Sequence, residues 1–329
     1  MKILYVDMLY DYGVKSRGFN TIGQNGFLRS LMQLGHEIVQ FYYDDYLSDL
    51  PELQKKAIAI ADSVSPNLIF FSLYTYQFHF DTLDYLKSKY TTINWFGDDT
   101  WRFDSFVKSY ANHFSYCITT DKFSIAKYKA IGQENVIYSQ WAAVSTIQPP
   151  AFSGYKYDIS FVGGFHPYRK WFLEALKKRG IRIEVFGHGW PNGGLSLEDM
   201  NEVFVSSKIN LNLSNSNSYD IRYLWRDKKA FVRLLRGGGK YASQIKARNF
   251  EIPFMNGFQL TDYVPTIEDY FGLGHEIICY RDVDEAFMLI KHYLENEDER
   301  EKIKEAGHKK AISAHGYEHR LEAILRRVK

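Results

Sequence analysis

The sequence predicts an α/β protein with two Rossmann-like domains, and three observations lead to that prediction. Strand and helix patterns alternate along most of the chain, and two adjacent prolines interrupt the alternation near its middle. The chain has 329 residues, a length that suits two domains of about 150 residues each. Alternating strands and helices favour parallel sheets that helices cover on both faces.

The first half of the chain contains the first series of elements. Lys2–Asp7 (KILYVD) predicts a buried strand, residues 27–34 predict a helix that ends at Gly35, and His36–Tyr42 predicts the next strand. This strand–loop–helix–strand order is the unit of a doubly wound sheet. The same periodicities predict six further elements, in the order Asn67–Leu73 (strand), Phe80–Lys89 (helix), Thr92–Phe96 (strand), Tyr116–Thr120 (strand), Lys122–Ala130 (helix) and Val136–Gln140 (strand).

Pro149 and Pro150 predict a linker, because adjacent prolines continue neither a helix nor a central strand. We therefore predict an N-terminal domain over residues 1–148, a second domain over 151–310, and a C-terminal helix over 311–329 that packs back on the first domain. The elements predicted for the second domain are Tyr157–Val162 (strand), Arg169–Arg179 (helix), Ile181–Phe186 (strand), a helix capped by Ser196, Lys208–Leu213 (strand), Lys246–Met255 (helix), Gln259–Thr261 (strand) and Glu276–Tyr280 (strand).

Composition and charge exclude several classes of protein. The formal net charge is +2, so a nucleic-acid partner is not expected. No apolar run approaches the roughly 20 residues that span a bilayer, and Met1–Asp7 enters a strand without a leader segment. We therefore expect a cytoplasmic protein, with peripheral contact at the anionic inner face of a membrane as an open option.

Two segments of the second half predict a site for a phosphate-bearing ligand. Gly163 and Gly164 lie between a predicted strand and a predicted helix that has Arg169 in its first turn. Backbone N–H groups at helix starts and arginine side chains are the usual phosphate donors. The alternative is that the two glycines serve only the turn.

The second segment is Lys240–Asp262, which contains Lys246, Arg248 and Glu251. A glutamate carboxylate accepts both hydroxyls of a ribose, and an arginine beside it binds a diphosphate with two parallel hydrogen bonds. The alternative is a surface ion pair between residues three apart on a helix, worth a few tenths of a kcal/mol.

Residues 222–248 form a basic stretch in which Asp227 is the only acidic residue. Two hypotheses account for it: a flexible cationic flap, containing the loop 237–239, that orders over phosphates, or contact with anionic lipid head groups. The alternative is a solvated helix face. The basic residues are Arg222, Arg226, Lys228, Lys229, Arg233, Arg236, Lys240, Lys246 and Arg248.

Several motifs that occur in order over residues 157–325 resemble the CgeB-like (spore maturation protein B-like) group 1 glycosyltransferases. The resemblance implies a fold of GT-B type, in which two Rossmann-like domains face each other across a cleft and the second binds the nucleotide-sugar donor. It implies that Glu251 contacts the ribose, that Arg248 lies near the diphosphate, and that Gly187 and His188 approach the base. The motifs are DISFVGG, KINLNLS, KARNFEIPFMNGFQLTDYVP, GHEIICYRDVDE, HYLEN and EAGHKKAISAHGYEHRL.

The resemblance also implies a reaction. A sugar would pass from a nucleotide diphosphate sugar to a glycan, glycolipid or glycoprotein acceptor, such as a cell-envelope polysaccharide, with no cofactor beyond that co-substrate and no metal. A nucleotide-sugar epimerase on the same fold and a non-catalytic sugar-nucleotide-binding subunit stay open as alternatives. Many retaining group 1 enzymes carry another glutamate eight positions before Glu251, where this chain has Ser243, so stereochemistry is not predicted.

A catalytic base for such a transfer is expected in the first domain, within about 3 Å of the acceptor hydroxyl. Asp99 follows a strand at its carboxyl end, where ligands gather in open α/β sheets, and is our first candidate; His79 is the second. Helix capping is the alternative for both. Six rings in the nearby loops are expected to line an acceptor groove, with about half of them in the core: Tyr10, Tyr12, Tyr74, Tyr76, Phe78 and Trp101.

Overall fold

A computed structural model describes residues 1–214, 220–235 and 242–328, except for the side chains of residues 233 and 234. The chain divides into two compact units: unit 1 comprises residues 1–146 and 316–329, and unit 2 comprises residues 147–315. Each unit is an α/β structure around one parallel sheet. The predicted class, α/β with two Rossmann-like domains, is therefore confirmed.

In unit 1 the described residues form a six-stranded parallel sheet of order β2-β1-β3-β4-β5-β6. The strands are β1 (Lys2–Asp7), β2 (Glu37–Tyr42), β3 (Leu68–Phe71), β4 (Thr91–Phe96), β5 (Tyr116–Thr119) and β6 (Val136–Tyr138). The helices before residue 146 are α1 (Arg29–Gln33), α2 (Leu50–Val64), α3 (Phe80–Lys89), α4 (Asp99–Arg102), α5 (Lys108–Tyr110) and α6 (Ile125–Ala130). A π-helical turn, Ile22–Leu28, leads into α1.

In unit 2 the described residues form a five-stranded parallel sheet of order β11-β10-β9-β7-β8. The strands are β7 (Tyr157–Val162), β8 (Glu184–Phe186), β9 (Ser207–Asn212), β10 (Gln259–Asp262) and β11 (Ile278–Tyr280). The helices are α7 (Pro167–Lys177), α8 (Leu197–Val205), α9 (Ile221–Arg226), α10 (Lys228–Leu235), α11 (Arg248–Phe254), α12 (Val283–Glu295) and α13 (Glu297–Ala314).

The last helix, α14 (Tyr317–Leu325), belongs to unit 1 although it follows unit 2 in the chain. The buried Tyr317 ring lies edge-on to Phe27, with 5.2 Å between the ring centroids. Gly26 permits this packing, because a Cβ atom there would lie 2.8 Å from the Tyr317 ring. The chain therefore returns to unit 1 to complete the core beside α1.

Both strand orders contain a topological switch point. In unit 1 the first strand, β1, lies between β2 and β3; in unit 2 the first strand, β7, lies between β8 and β9. At such a point the connections after neighbouring strands run to opposite faces of the sheet, which leaves a crevice at their carboxyl ends. Each unit therefore offers one crevice in which a ligand can bind.

Some predicted boundaries differ from the structure, for local reasons. The helix predicted to begin at Arg169 begins at Pro167, because the His166 side chain accepts from the N–H of Tyr168 and proline fits the first helical position. The strand predicted from Ile181 begins only at Glu184. Helix α2 was not predicted at all, although Asp49 caps its start by accepting from the N–H of Glu52.

Helices that could cross a bilayer are absent from the described part of the chain, since none is both long enough and apolar enough.

We predict that Gly307→Ala destabilises unit 2. A Cβ atom at this position on α13 would lie 2.2 Å from the carbonyl oxygen of Glu276, and backbone cannot rotate away as a side chain can. Overpacking of this kind costs about 1–3 kcal/mol, so the midpoint of thermal unfolding should fall by several degrees.

The control for this prediction is Gly272→Ala, whose Cβ atom would meet only the Glu276 side chain at 3.6 Å. Its midpoint should stay near that of the unchanged protein. Equal midpoints for the two variants would contradict the close approach of α13 to the segment before β11.

Candidate functional site

The carboxyl ends of three adjacent strands in unit 2 bring most of the predicted ligand-binding residues together. Gly163 and Gly164 follow β7, Leu213 and Ser214 follow β9, and Asp262 ends β10. The N–H of Ser214 donates to the Asp262 carboxylate at 2.7 Å, so the loop after β9 is tied to the end of β10. These residues line the switch-point crevice of unit 2.

Arg169 links two loops of this crevice. Its guanidinium donates from Nη1 to the carbonyl oxygen of Gly164 at 2.9 Å and from Nη2 to that of Leu213 at 2.8 Å. Burial lowers the pKa of Arg169, while the negative charge of Asp262 opposes that shift and the positive charge of Arg248 adds to it. Arg169 was predicted as a phosphate ligand. In the structure, two of its N–H groups are instead bonded to backbone carbonyl oxygens.

Gly187 is required where the loop after β8 meets the loop after β7. Its φ is +135°, and a Cβ atom there would lie 2.2 Å from the carbonyl oxygen of Gly163. The Gly163 N–H donates to Phe186 and its carbonyl accepts from the indole N–H of Trp190, at 2.9 and 2.8 Å. The backbone of Gly187 therefore lies directly against that of Gly163, whereas the neighbouring His188 side chain is exposed.

Arg248 and Glu251 form an ion pair on α11. Arg248 Nη1 donates to Glu251 Oε2 at 2.7 Å, and only 23% and 12% of the two side chains is exposed. The Arg248 guanidinium also lies over the Phe204 ring, 5.1 Å from its centroid. The pair is thus held in one geometry by packing, unlike the solvated surface pair that was the alternative interpretation.

Asn249, which was not predicted, anchors the start of α11 to the sheet. Its side-chain oxygen accepts from the N–H of Lys246 at 3.0 Å and from the Ser214 hydroxyl at 2.9 Å, and its nitrogen donates to Thr261 Oγ1 at 3.1 Å. Asn249 is fully buried. An amide with both ends bonded fixes the start of α11, with Lys246 and Arg248, beside the carboxyl ends of β9 and β10.

The basic stretch is only partly described. Arg222 pairs with Asp220 and Asp284, each at 2.7 Å, and Arg226 pairs with Glu174 at 2.8 Å. Arg236, Lys240 and the loop 237–239 lie outside the described residues, and so does the side chain of Arg233. The flap hypothesis therefore stays a prediction.

Asp99 lies in the core of unit 1. It begins α4, is fully buried, and accepts from the Tyr128 hydroxyl at 3.0 Å. Burial raises the pKa of Asp99 to about 8, although hydrogen bonds from the Thr119 and Tyr128 side chains lower it. An enclosed carboxyl does not reach an acceptor hydroxyl, so this geometry argues against the prediction that Asp99 is the catalytic base.

His79 differs from Asp99 in exposure. It precedes α3 at the N-cap position, its N–H donates to Gln54 Oε1 at 3.0 Å, and its side chain is exposed. Its ring takes no part in capping the helix, since the cap position shows no side-chain hydrogen bond. His79 is therefore the more accessible of the two predicted bases.

The rings predicted to line an acceptor groove divide between core and surface. Phe78 is buried in the core, whereas Tyr12, Tyr74 and Tyr76 are exposed. Tyr12 and Tyr74 meet edge to face at 5.0 Å, and the Arg102 guanidinium lies 5.4 Å from the Tyr74 centroid. The loops after β1 and β3 therefore present an aromatic surface beside the switch point of unit 1.

Sequence reasoning missed Asp7, the last residue of β1. Its carboxylate is buried and accepts from the Tyr5 hydroxyl at 2.6 Å and the Met8 N–H at 2.7 Å. Burial raises the pKa of Asp7 to about 7, although these hydrogen bonds lower it. Its place at the end of the first strand was a readable signal for a switch-point residue.

We predict that Asp99→Asn flattens the pH dependence of stability. The folded-state pKa is raised, so the native state holds a proton that the unfolded chain releases above about pH 4. The stabilisation from this group is complete below that pH and is lost as pH rises towards 8, at up to about 1.4 kcal/mol per pH unit.

Urea unfolding at several pH values between 4 and 8 measures this slope. The variant should lose stability less steeply with rising pH than the unchanged protein. Asp104→Asn, which alters an exposed aspartate, is the control and should keep the original slope. A variant at position 99 with the full slope would show that Asp99 is not protonated in the fold.

Residues 169–326, just under half of the chain, match the model of a family described as glycosyl transferase-like. No curated protein matches the chain in sequence.

Solved structures show the fold of the whole chain. Sucrose-phosphate synthase from Thermosynechococcus elongatus has a TM-score of 0.65 at 9% identity, with 99% of both chains covered. Anabaena HepE in complex with UDP and glucose has a TM-score of 0.64 at 10% identity, with the same coverage. A glycosyltransferase from Rickettsia africae has a TM-score of 0.61 at 11% identity, with 99% of this chain and 97% of the other covered.

These likenesses establish the GT-B two-domain fold that the sequence predicted. The family match falls on unit 2, apart from its last eleven residues, and includes Arg169, Arg248 and Glu251. Over residues 169–326 the chain is similar to the glycosyl transferase-like family, and over its whole length it shares the GT-B fold of these solved structures.

Proposed function

We propose that unit 2 binds a nucleoside diphosphate sugar and that the protein transfers its sugar to a carbohydrate-bearing acceptor at unit 1. The observation that supports this most is the packed Arg248–Glu251 pair. The positive charge of Arg248 also lowers the pKa of Arg169 at the switch-point crevice. A fixed cation and a fixed carboxylate side by side suit a ligand that carries both phosphate and hydroxyl groups.

Each predicted donor residue has a role in this proposal. Glu251 accepts hydroxyls of the ribose, while Arg248 and Lys246 bind the diphosphate. Backbone N–H groups of the loop after β7, at Gly163 and Gly164, add uncharged donors at the start of α7. This α7 has eleven residues and an N-cap at His166, so its first turn is well formed.

Three other residues shape the loops around the donor. Arg169 keeps the carbonyls of its two loops turned away from the phosphates and adds positive charge. Gly187 lets the loop after β8 approach the loop after β7, and His188 lies next to it on the exposed side where the base would bind.

The donor groups matter most when the sugar leaves. The bond between the anomeric carbon and the diphosphate oxygen breaks, the acceptor oxygen bonds to that carbon, and the acceptor proton passes to a base. Charge therefore accumulates on the diphosphate, where Arg248, Lys246 and the helix start stabilise it. His79 is our candidate for the base, because its ring is exposed where the Asp99 carboxyl is enclosed.

A uridine nucleotide is the donor class to examine first. The structural neighbour HepE was solved with UDP and with UDP-glucose, and we carry that base over as a proposal for this chain. For the acceptor, the exposed rings of Tyr12, Tyr74 and Tyr76 suit stacking against sugar rings.

The CgeB-like motifs favour an acceptor of the cell envelope. It would be a glycan, glycolipid or glycoprotein met in the cytoplasm, with the nucleotide sugar as co-substrate and no further cofactor.

We predict that one nucleoside diphosphate, with UDP first, raises the unfolding midpoint and that Glu251→Gln weakens the effect. A ligand at 100 times its dissociation constant stabilises the fold by about 2.7 kcal/mol. Loss of hydrogen bonds to a charged group should weaken binding by about 10–100-fold. Thermal unfolding with UDP, GDP, dTDP and CDP measures both effects.

Glu285→Gln is the matched control, because Glu285 pairs with Arg281 in the same unit at 3.1 Å and lies outside the crevice. It should respond to nucleotide like the unchanged protein. A response that Glu251→Gln retains in full would contradict the donor site. If none of the four nucleotides raises the unfolding midpoint, the proposed donor class is contradicted.

Turnover distinguishes transfer from the two alternatives. Incubation with the donor sugar and a panel of glycan acceptors should release the nucleoside diphosphate and form a glycosylated product. An isomer of the sugar nucleotide without acceptor would indicate an epimerase, and binding without any turnover would indicate a non-catalytic subunit.

A further inference from the structure

Two consecutive helices of unit 2 carry several apolar side chains that are largely exposed to solvent. Ile221 and Trp225 on α9 are 75% and 87% exposed, and Leu235 at the end of α10 is 71% exposed. Phe231 and Val232 on α10 are also exposed. Single exposed apolar residues are ordinary, but five within fifteen residues form a patch that calls for a partner.

The sequence spacing places these residues on definite helix faces. Ile221 and Trp225 are four residues apart and share one side of α9, while Tyr223 and Leu224 on the other side are buried. On α10 the positions of Lys228, Val232 and Leu235 follow the i, i+4, i+7 spacing of one face. Both helices therefore turn a mixed apolar and basic side away from unit 2.

The cations on this surface are of two kinds. Arg222 and Arg226 are engaged with carboxylates of unit 2. Lys228 and Lys229 are exposed, and neither forms an ion pair with any residue that the structure describes.

The two unpaired lysines also line a groove of about 440 Å³ that Lys170 and Trp171 border on α7. Arg226, Glu174 and Asp227 line the same groove, so positive charge exceeds negative charge in the recess beside the apolar side chains. A partner with negative groups next to apolar ones would complement both features.

We propose that α9 and α10, residues 221–235, dock this protein on an anionic lipid bilayer. Trp225, Ile221 and Leu235 enter the boundary between head groups and acyl chains, and Lys228 and Lys229 meet lipid phosphates. Interfacial helices combine lysine with tryptophan and aliphatic residues on such a surface. Each lysine near an anionic surface strengthens binding about fivefold.

A second protein fits the same surface less well. Lysine is depleted in the core of protein–protein interfaces, because its charge must lose water there. Here Lys228 lies in the same row as Val232 and Leu235, so a protein partner would enclose it. At a bilayer the long lysine side chain keeps its charge at the phosphate level while its stem covers apolar surface. The docking surface is separate from the residues of the donor proposal.

The test is co-sedimentation of the full-length protein with vesicles. Vesicles of phosphatidylcholine mixed with phosphatidylglycerol should retain the protein, and pure phosphatidylcholine vesicles should retain much less. Ile221→Ser with Trp225→Ser, and separately Lys228→Gln with Lys229→Gln, should each weaken binding about tenfold or more. The control is Met288→Ser, which removes an apolar residue 63% exposed on α12 and should change nothing.

Three results would overturn the proposal. They are equal binding to both kinds of vesicle, full binding by the double variant Ile221→Ser with Trp225→Ser, and self-association that this double variant abolishes in a protein that does not bind vesicles. The last result would assign the patch to a second copy of the chain. Nucleotide-induced stabilisation should persist in all these variants, so a failure here is distinguishable from a failure of the donor proposal.

Discussion

The arrangement of unit 2 depends on one guanidinium that holds two loops in place. Arg169 donates to the carbonyl oxygens of Gly164 and Leu213, which lie at the carboxyl ends of neighbouring strands. The cation satisfies both carbonyl oxygens and offsets their partial negative charge. Gly187 adds the second constraint, because only a residue without a side chain can lie against Gly163. The loops are thus shaped before any ligand arrives, which is how a site stabilises charge without reorganising.

The two units use the same strand geometry but place different charged groups at the switch point. At the switch point of unit 1 lies Asp7, a buried carboxyl whose pKa is raised by burial. In unit 2 the corresponding crevice holds Arg169, whose pKa is lowered by the nearby positive charge of Arg248. The arginines of unit 2 suit an anionic donor, and the exposed tyrosines of unit 1 suit an uncharged sugar. The fold supplies two equivalent places for ligands, and the side chains differentiate them.

Local pattern was enough to predict the strands of both sheets, and tertiary contacts account for what was missed. Lys2–Asp7 and Tyr157–Val162 were predicted with the observed bounds, because apolar residues dominate the first and turn residues follow the second directly. The role of Arg169 was not predictable, since Leu213 is 44 positions away. The hydroxyl that donates to the buried Asp99 carboxyl comes from Tyr128, which belongs to a different helix. The Arg248–Glu251 pair was foreseen from spacing, but its enclosure depends on Phe204.

The most direct test of the account is a crystal structure of the protein with UDP. We predict that the diphosphate lies at the loop after β7, with Gly163 and Gly164 donating from backbone, and that Arg248 contacts a phosphate while Glu251 accepts from the ribose. Arg169 should keep its two carbonyl bonds in the complex. A nucleotide bound at the switch point of unit 1, or one in unit 2 that leaves Glu251 untouched, would contradict it.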